Sequence, residues 1–219
     1  MKTFYRLLLF QSLIIGICHA QKFELDGFVF KQGDILFQDY DCGDLCKAIK
    51  KVTKSVKKKS LSHVGLTYIL HDSAYVIEAI GENVHLTKLD KFIERSVDQN
   101  GNNKILVERV KPEFQRLIAP VIKFALTKLG IPYDQEFIYN NGKYYCSELI
   151  YDAFLFANDS VPFFELQPMT FKDPATGKTI DAWRNYYEQL NKPIPEGKPG
   201  CNPGGISMSK KLNIVKSFY

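Results

Sequence analysis

The sequence predicts an α+β fold, an antiparallel sheet packed against helices. Three observations predict it. Apolar runs of strand length crowd between about residues 64 and 110, with stretches of helical period before them (42–55) and after them (146–157). The helix after the sheet opens on a cysteine. No internal repeat and no low-complexity linker divides the chain, so residues 21–219 are expected to form one domain.

Ahead of that domain, residues 1–20 read as a secretory leader. Lys2 and Arg6 supply the positive end, Leu7 to Cys18 the apolar core, and Cys18-His19-Ala20 a small-residue cleavage site. The apolar run is 12 residues, short of the ~20 that span a bilayer as a helix. A lipoprotein cysteine at Cys18 is the alternative, but Ile17 is bulky where such sites take a small residue. No later segment is suited to spanning a membrane. The expected product is exported, periplasmic or extracellular, and soluble.

Gly33-Asp34 reads as a turn before a strand, Ile35 to Gln38. Leu45, Ala48, Ile49 and Val52 recur at helical spacing, with lysines on the opposite face. Val64 to Leu70 and Ala74 to Ile80 are two apolar runs joined at His71-Asp72-Ser73, a hairpin signal. Val84 to Leu86 continues as strand, Leu89 to Arg95 as a short helix, and Ile105 to Val110 as a further strand. Pro112 opens a long amphipathic helix that Gly130 stops, and Pro120 inside it predicts a kink. The cysteine helix runs from Cys146 to Ala157. The Pro- and Gly-rich tail carries one helix, Ile180 to Leu190, and is otherwise expected to wrap the core as coil.

The chain has 219 residues and a formal charge of +5, which falls to +3 when Lys2 and Arg6 leave with the leader. That mild excess is concentrated in Lys47, Lys50, Lys51, Lys54, Lys57, Lys58 and Lys59. Such a run is a solvated helix face or a patch for anionic surfaces. No nucleic-acid module and no aromatic-basic interleaving is present, so no nucleic-acid partner is expected. Cys42, Cys46, Cys146 and Cys201 lie beyond the leader, and export favours pairing of those not needed free. Cys42 and Cys46 are spaced to close a small loop, with Cys201 either unpaired or paired with one of them. Cys42-x-x-x-Cys46 lacks the second pair that a zinc site needs, so no metal and no cofactor is expected.

Thiol chemistry needs a nucleophile, a base, a group that orients the base, and an oxyanion site. A helix N-terminus favours a thiolate, and an adjacent imidazolium favours it further. Cys146 meets the first condition and is the candidate nucleophile. His63, in Ser62-His63-Val64-Gly65 at the start of a strand, is the candidate base, with His85 its competitor. Glu78 lies in the apolar run Tyr75 to Ile80, where a carboxylate needs a partner to justify burial. Hairpin parity decides its role. A turn with an even number of residues puts Glu78 on the face of His63, opposite Gly65 or Thr67; an odd turn puts it on the other face.

These residues resemble a known family. Gly33-Asp34-Ile35, Ser62-His63-Val64-Gly65, Ile77-Glu78-Ala79, Gly130-Ile131-Pro132-Tyr133-Asp134 and Tyr145-Cys146-Ser147-Glu148-Leu149 occur in the order seen in the YiiX/YaeF-type, circularly permuted papain-like (NlpC/P60) enzymes. The resemblance covers most of the chain beyond residue 28 and accounts for histidine preceding cysteine. It implies a papain-like cysteine amidase or peptidase in which Cys146 is the nucleophile, His63 the base and then acid, and Glu78 the residue that holds the imidazole. It places Tyr133 near the oxyanion, with Tyr145 beside the nucleophile as a second substrate-facing candidate. The Cys146 backbone N–H is a further donor. The unpermuted enzymes carry Asp-Cys-Ser-Gly where this chain has Tyr145-Cys146-Ser147-Glu148, so their peptidoglycan specificity is not carried over. The substrate classes left are a peptide or muropeptide and an N-acyl amine or lipid. Hydrolysis, acyl transfer from the same residues, and ligand binding without catalysis are the three activities these residues admit.

Overall fold

Residues 23–219 are described by a computed structural model; the leader lies outside the described residues. Six strands form one sheet in the order β10-β7-β3-β4-β5-β6, and every pairing is antiparallel. They are β3 (Ile35–Gln38), β4 (His63–Leu70), β5 (Ser73–Ile80), β6 (Asn83–Lys88), β7 (Ile105–Val110) and β10 (Leu212–Ser217). A short hairpin, β1 (Glu24–Leu25) and β2 (Phe28–Val29), turns at Asp26-Gly27 before the sheet begins. The expected α+β architecture is present, helices against an antiparallel sheet.

Strand alternation divides the core in two. Ile35, Phe37, Val64, Leu66, Ile77, Ala79 and Val84 share one cluster with the helices α3 (Ile118–Thr127) and α4 (Cys146–Ala157). Leu36, Val76, Ile105 and Val107 belong to a second cluster with Leu89 and Phe92 of α2 (Leu89–Glu94). α4 is buried along nearly its whole first two turns, from Cys146 through Tyr151. That burial, rather than helix propensity, fixes where its N-terminus sits.

Two expectations are corrected. The single helix from Pro112 to Leu129 is a 3₁₀ turn, Pro112–Leu117, followed by α3. The break falls before Pro120, which sits in the first turn of α3, where a missing N–H removes no intrahelical bond. The tail is also more structured than coil. Besides α5 (Asp181–Gln189) and α6 (Pro203–Ser207) it holds β8 (Gln167–Pro168), β9 (Pro199–Gly200) and the sheet's edge strand β10. Strand pairing across about a hundred residues of sequence leaves no local signal that spacing can report.

The first helix, α1 (Asp44–Val52), is amphipathic as expected and opens with a Cys42–Cys46 disulfide. That settles the pairing left open above. Cys201 is free and buried.

Candidate active site

The β4–β5 hairpin turns on two residues, His71 and Asp72, with Leu70 paired to Ser73. The turn is even, so Glu78 shares the face of Gly65 and His63. Gly65 makes the crossing possible: a Cβ there would meet a Val76 methyl, stand 3.3 Å from the Phe92 ring, and lie 3.4 Å from the Glu78 Cβ. Without that side chain, Glu78 reaches along the sheet, and His63 Nε2 lies 2.6 Å from Glu78 Oε2. Both groups are buried, Glu78 completely.

His63 is the first residue of β4, and a residue at a strand's first position can touch partners on both faces. Its Nε2 edge takes Glu78, while the ring also shares a cavity wall with Cys146, the first residue of α4. Burial pushes the His63 pKa down, but the neighbouring Cys146 and Glu78 outweigh it and raise it to about 9. Burial likewise pushes Glu78 up, and His63 and Arg95 overcome it, holding the carboxyl at about 2. The pair is therefore built to exist as imidazolium and carboxylate. His85, the competitor, is half-buried on β6 with its Nδ1 3.1 Å from the Asn83 carbonyl. It sits opposite Glu78 in register, yet the carboxylate is turned to His63.

Sequence reasoning missed two partners of Glu78. Arg95 Nη2 donates to Glu78 Oε1 at 2.8 Å and to Oε2 at 2.7 Å, and the Thr87 hydroxyl donates to Oε1. Thr87 carries a findable signal, since it lies two residues beyond the position paired with Glu78 on the same face. Arg95 carries none, because it follows the end of a short helix seventeen residues on.

Tyr133 is half-buried in the segment that bridges to Tyr144, its N–H donating to the Glu82 carbonyl at 2.8 Å. Burial, and then the nearby Cys146, push its phenol well above the ordinary range, so it keeps its proton as a donor. The structure brings Tyr133, Cys146 and His63 to one cavity. Tyr145 also lines it. Its hydroxyl accepts the Cys201 N–H at 3.2 Å and lies 3.8 Å from the Cys201 sulfur. That contact ties the Tyr145 ring to the tail while it lines the cavity. Ser147 completes the anchor by donating to the Cys201 carbonyl at 3.1 Å. Glu148 departs from the unpermuted pattern for a structural reason: its buried Oε1 accepts the Asn140 N–H at 2.7 Å and pins the loop after Tyr133.

The cavity measures about 480 Å³, within the ~300–1,000 Å³ common for small-molecule sites. Leu45, Ile49 and Val52 of α1 form one wall, and Phe137, Met169 and Trp183 help form the other. Among the described residues, His63 is the one titratable side chain on its lining apart from tyrosines and cysteines, and no Asp, Glu, Lys or Arg lines it. A mostly apolar wall strengthens electrostatic interactions at the reacting atoms.

Comparison with known proteins adds a family and two relatives. Residues 29–216 match the family of permuted papain-like amidase enzymes, YaeF/YiiX, C92. The chain is 32% identical over 126 residues to the uncharacterized protein YiiX of Escherichia coli (strain K12); the match covers 56% of each protein, so it spans just over half that relative's length. The crystal structure of metalloprotein yiiX from Escherichia coli O157:H7 superposes with a TM-score of 0.68 at 25% identity, over 85% of this chain and 97% of that one. Among the described residues of this chain, no group of three or more His, Cys, Asp or Glu side chains is placed to hold a metal ion.

Proposed function

The chain belongs to the YaeF/YiiX, C92 family of permuted papain-like cysteine amidases, and from that premise we propose that it is an exported thiol hydrolase cleaving an N-acyl or other amide bond through an acyl-enzyme on Cys146. One observation carries this reading. Cys146, at the N-terminus of α4, and His63 line one cavity, and the His63 Nε2 is 2.6 Å from a buried Glu78.

The chemistry follows from those positions. With its proton on His63, the Cys146 sulfur attacks the substrate carbonyl carbon. The Cys146 N–H, free of an intrahelical partner at that position, and the Tyr133 hydroxyl are the donors for the oxyanion. His63 then gives its proton to the leaving nitrogen, the C–N bond breaks, and an acyl thioester remains. Water attacks that thioester with His63 taking its proton, the C–S bond breaks to release the acid, and the Cys146 sulfur is left beside the reprotonated His63 as at the start. Glu78 keeps the imidazole oriented and compensates its charge throughout.

The lining favours the substrate class. A muropeptide presents several charged groups, and the cavity offers no opposite charge to receive them. An aliphatic acyl group fits the wall of Leu45, Ile49, Val52 and Met169. The same wall supports a second reading, transfer of the acyl group to an amine or alcohol instead of water. Incubating the purified protein and its Cys146→Ala form with N-acyl amines, short peptides and muropeptides tests both. Release of fatty acid by the first protein alone is the expected result. A new acyl amide or ester in place of the acid selects transfer, and equal turnover by Cys146→Ala removes the thiol mechanism.

A further inference from the structure

Resting on that assignment of Cys146, His63 and Glu78, we propose that Arg95 is a positioning residue of the same site. Its guanidinium holds the Glu78 carboxylate toward His63 and shares its charge, which sets the pH at which the imidazolium gives up its proton. Arg95 follows the last residue of α2, and its backbone is fixed there, with Ser96 N–H bonded to Ile93 and Lys104 N–H bonded to Ser96. From that place one nitrogen, Nη2, reaches both carboxylate oxygens of Glu78. Glu78 is its acidic partner among the described residues.

The surroundings are shared. The Arg95 guanidinium lies 5.7 Å from the Tyr40 ring and 5.1 Å from the Phe92 ring, and the same two rings lie 6.3 and 6.1 Å from the His63 ring. His63 and the Arg95 guanidinium thus lie near the same two aromatic rings. The buried Glu78 carboxylate is flanked by two cations, the His63 imidazolium and the Arg95 guanidinium, and removing Arg95 leaves His63 to compensate it alone. The other groups facing this compartment are Thr87, a neutral donor to Glu78, and His85, engaged with the Asn83 carbonyl. Cys146 and Tyr133 face His63 from the cavity side.

Removal of Arg95 and removal of Glu78 therefore act on His63 with opposite sign. Losing the guanidinium leaves the full carboxylate charge on the imidazolium and removes a nearby cation, so the proton is held more tightly. Losing the carboxylate releases it. An arginine that served the fold alone would alter stability and leave the His63 titration where it was.

The test is an NMR titration of the ring signals in histidine-labelled protein, as wild type, Arg95→Gln, Arg95→Lys and Glu78→Gln. The expected His63 midpoint is about 9 in the wild type. Arg95→Gln should move it up by on the order of half a unit, Arg95→Lys should return it to the wild-type position, and Glu78→Gln should move it down. Should Arg95→Gln not fold, Arg95→Ala refolded with millimolar guanidinium ion replaces it, and a midpoint that returns toward 9 as guanidinium is added supports the inference. An Arg95→Gln midpoint equal to or below the wild type overturns it, as does Arg95→Ala that guanidinium leaves unmoved. A Glu78→Gln midpoint equal to the wild type removes the underlying His63–Glu78 pairing and Arg95 with it; a midpoint that falls in Glu78→Gln but stays unmoved in the Arg95 variants removes Arg95 only.

Discussion

His63 Nε2 lies 2.6 Å from Glu78 Oε2, across the two strands of one hairpin, with both groups buried. The imidazolium is held to about 9 and the carboxyl to about 2, against ordinary values of 6.5 and 4.5. The raised group stabilises the fold fully below about 6.5 and loses that contribution as the pH rises through about 9. The lowered group contributes fully above about 4.5 and loses its share as the pH falls through about 2. Both are complete between those limits, from about 4.5 to 6.5. Glu78→Gln should narrow this pH dependence, and should lower turnover by about 10²-fold or more because the imidazole loses its orienting partner. Urea unfolding across the pH range, beside substrate turnover, checks both; unchanged turnover contradicts the role given to Glu78.

Tyr133→Phe separates oxyanion stabilisation from nucleophile activation. Acyl transfer builds charge on a carbonyl oxygen, whereas alkylation by iodoacetamide does not. Turnover should therefore fall by about 10²-fold while the alkylation rate of Cys146 stays within about twofold. Equal losses in both assays would place Tyr133 in the support of Cys146 instead.

Glu108 is buried on β7 between Ile35 and Ile214 in register, with neither carboxylate oxygen bonded. Burial pushes it up to about 8, so it is neutral in the fold and contributes stability below about 4.5 that is lost as the pH rises through about 8. Glu108→Gln should stabilise the protein above pH about 8 by roughly 1–3 kcal/mol and change it little near pH 5. Denaturant unfolding at the two pH values measures this, and an equal effect at both contradicts it.

The Cys42–Cys46 disulfide joins residues four apart at the start of α1, and both cysteines line the cavity. Closing so short a loop is worth about 2 kcal/mol by chain entropy. The Cys42→Ser/Cys46→Ser protein should remain folded, lose about that much stability, and no longer respond to dithiothreitol. A wild type whose melting is unmoved by reductant contradicts the prediction.

Much of the site is local in sequence and was legible there. The parity of the His71-Asp72 turn orients Glu78, and the apolar face of residues 146–157 fixes the cysteine helix. What escaped is set by long-range contacts. Arg95 reaches Glu78 from beyond a short helix, and β10 joins the sheet about a hundred residues after its partner. The Tyr145 hydroxyl binds Cys201, which only the folded tail brings near. Pro120 suggested a kink because the sequence does not mark that the helix starts at Ile118.

Peptide mapping after brief iodoacetamide treatment at neutral pH tests the central claim most directly. Cys201 is buried, and burial pushes its thiol above the ordinary range, so it should stay unmodified. The account predicts rapid carbamidomethylation of Cys146, lost in Cys146→Ala and slowed when His63 is changed to Ala. Rapid labelling that persists in Cys146→Ala and maps to Cys201 would contradict it.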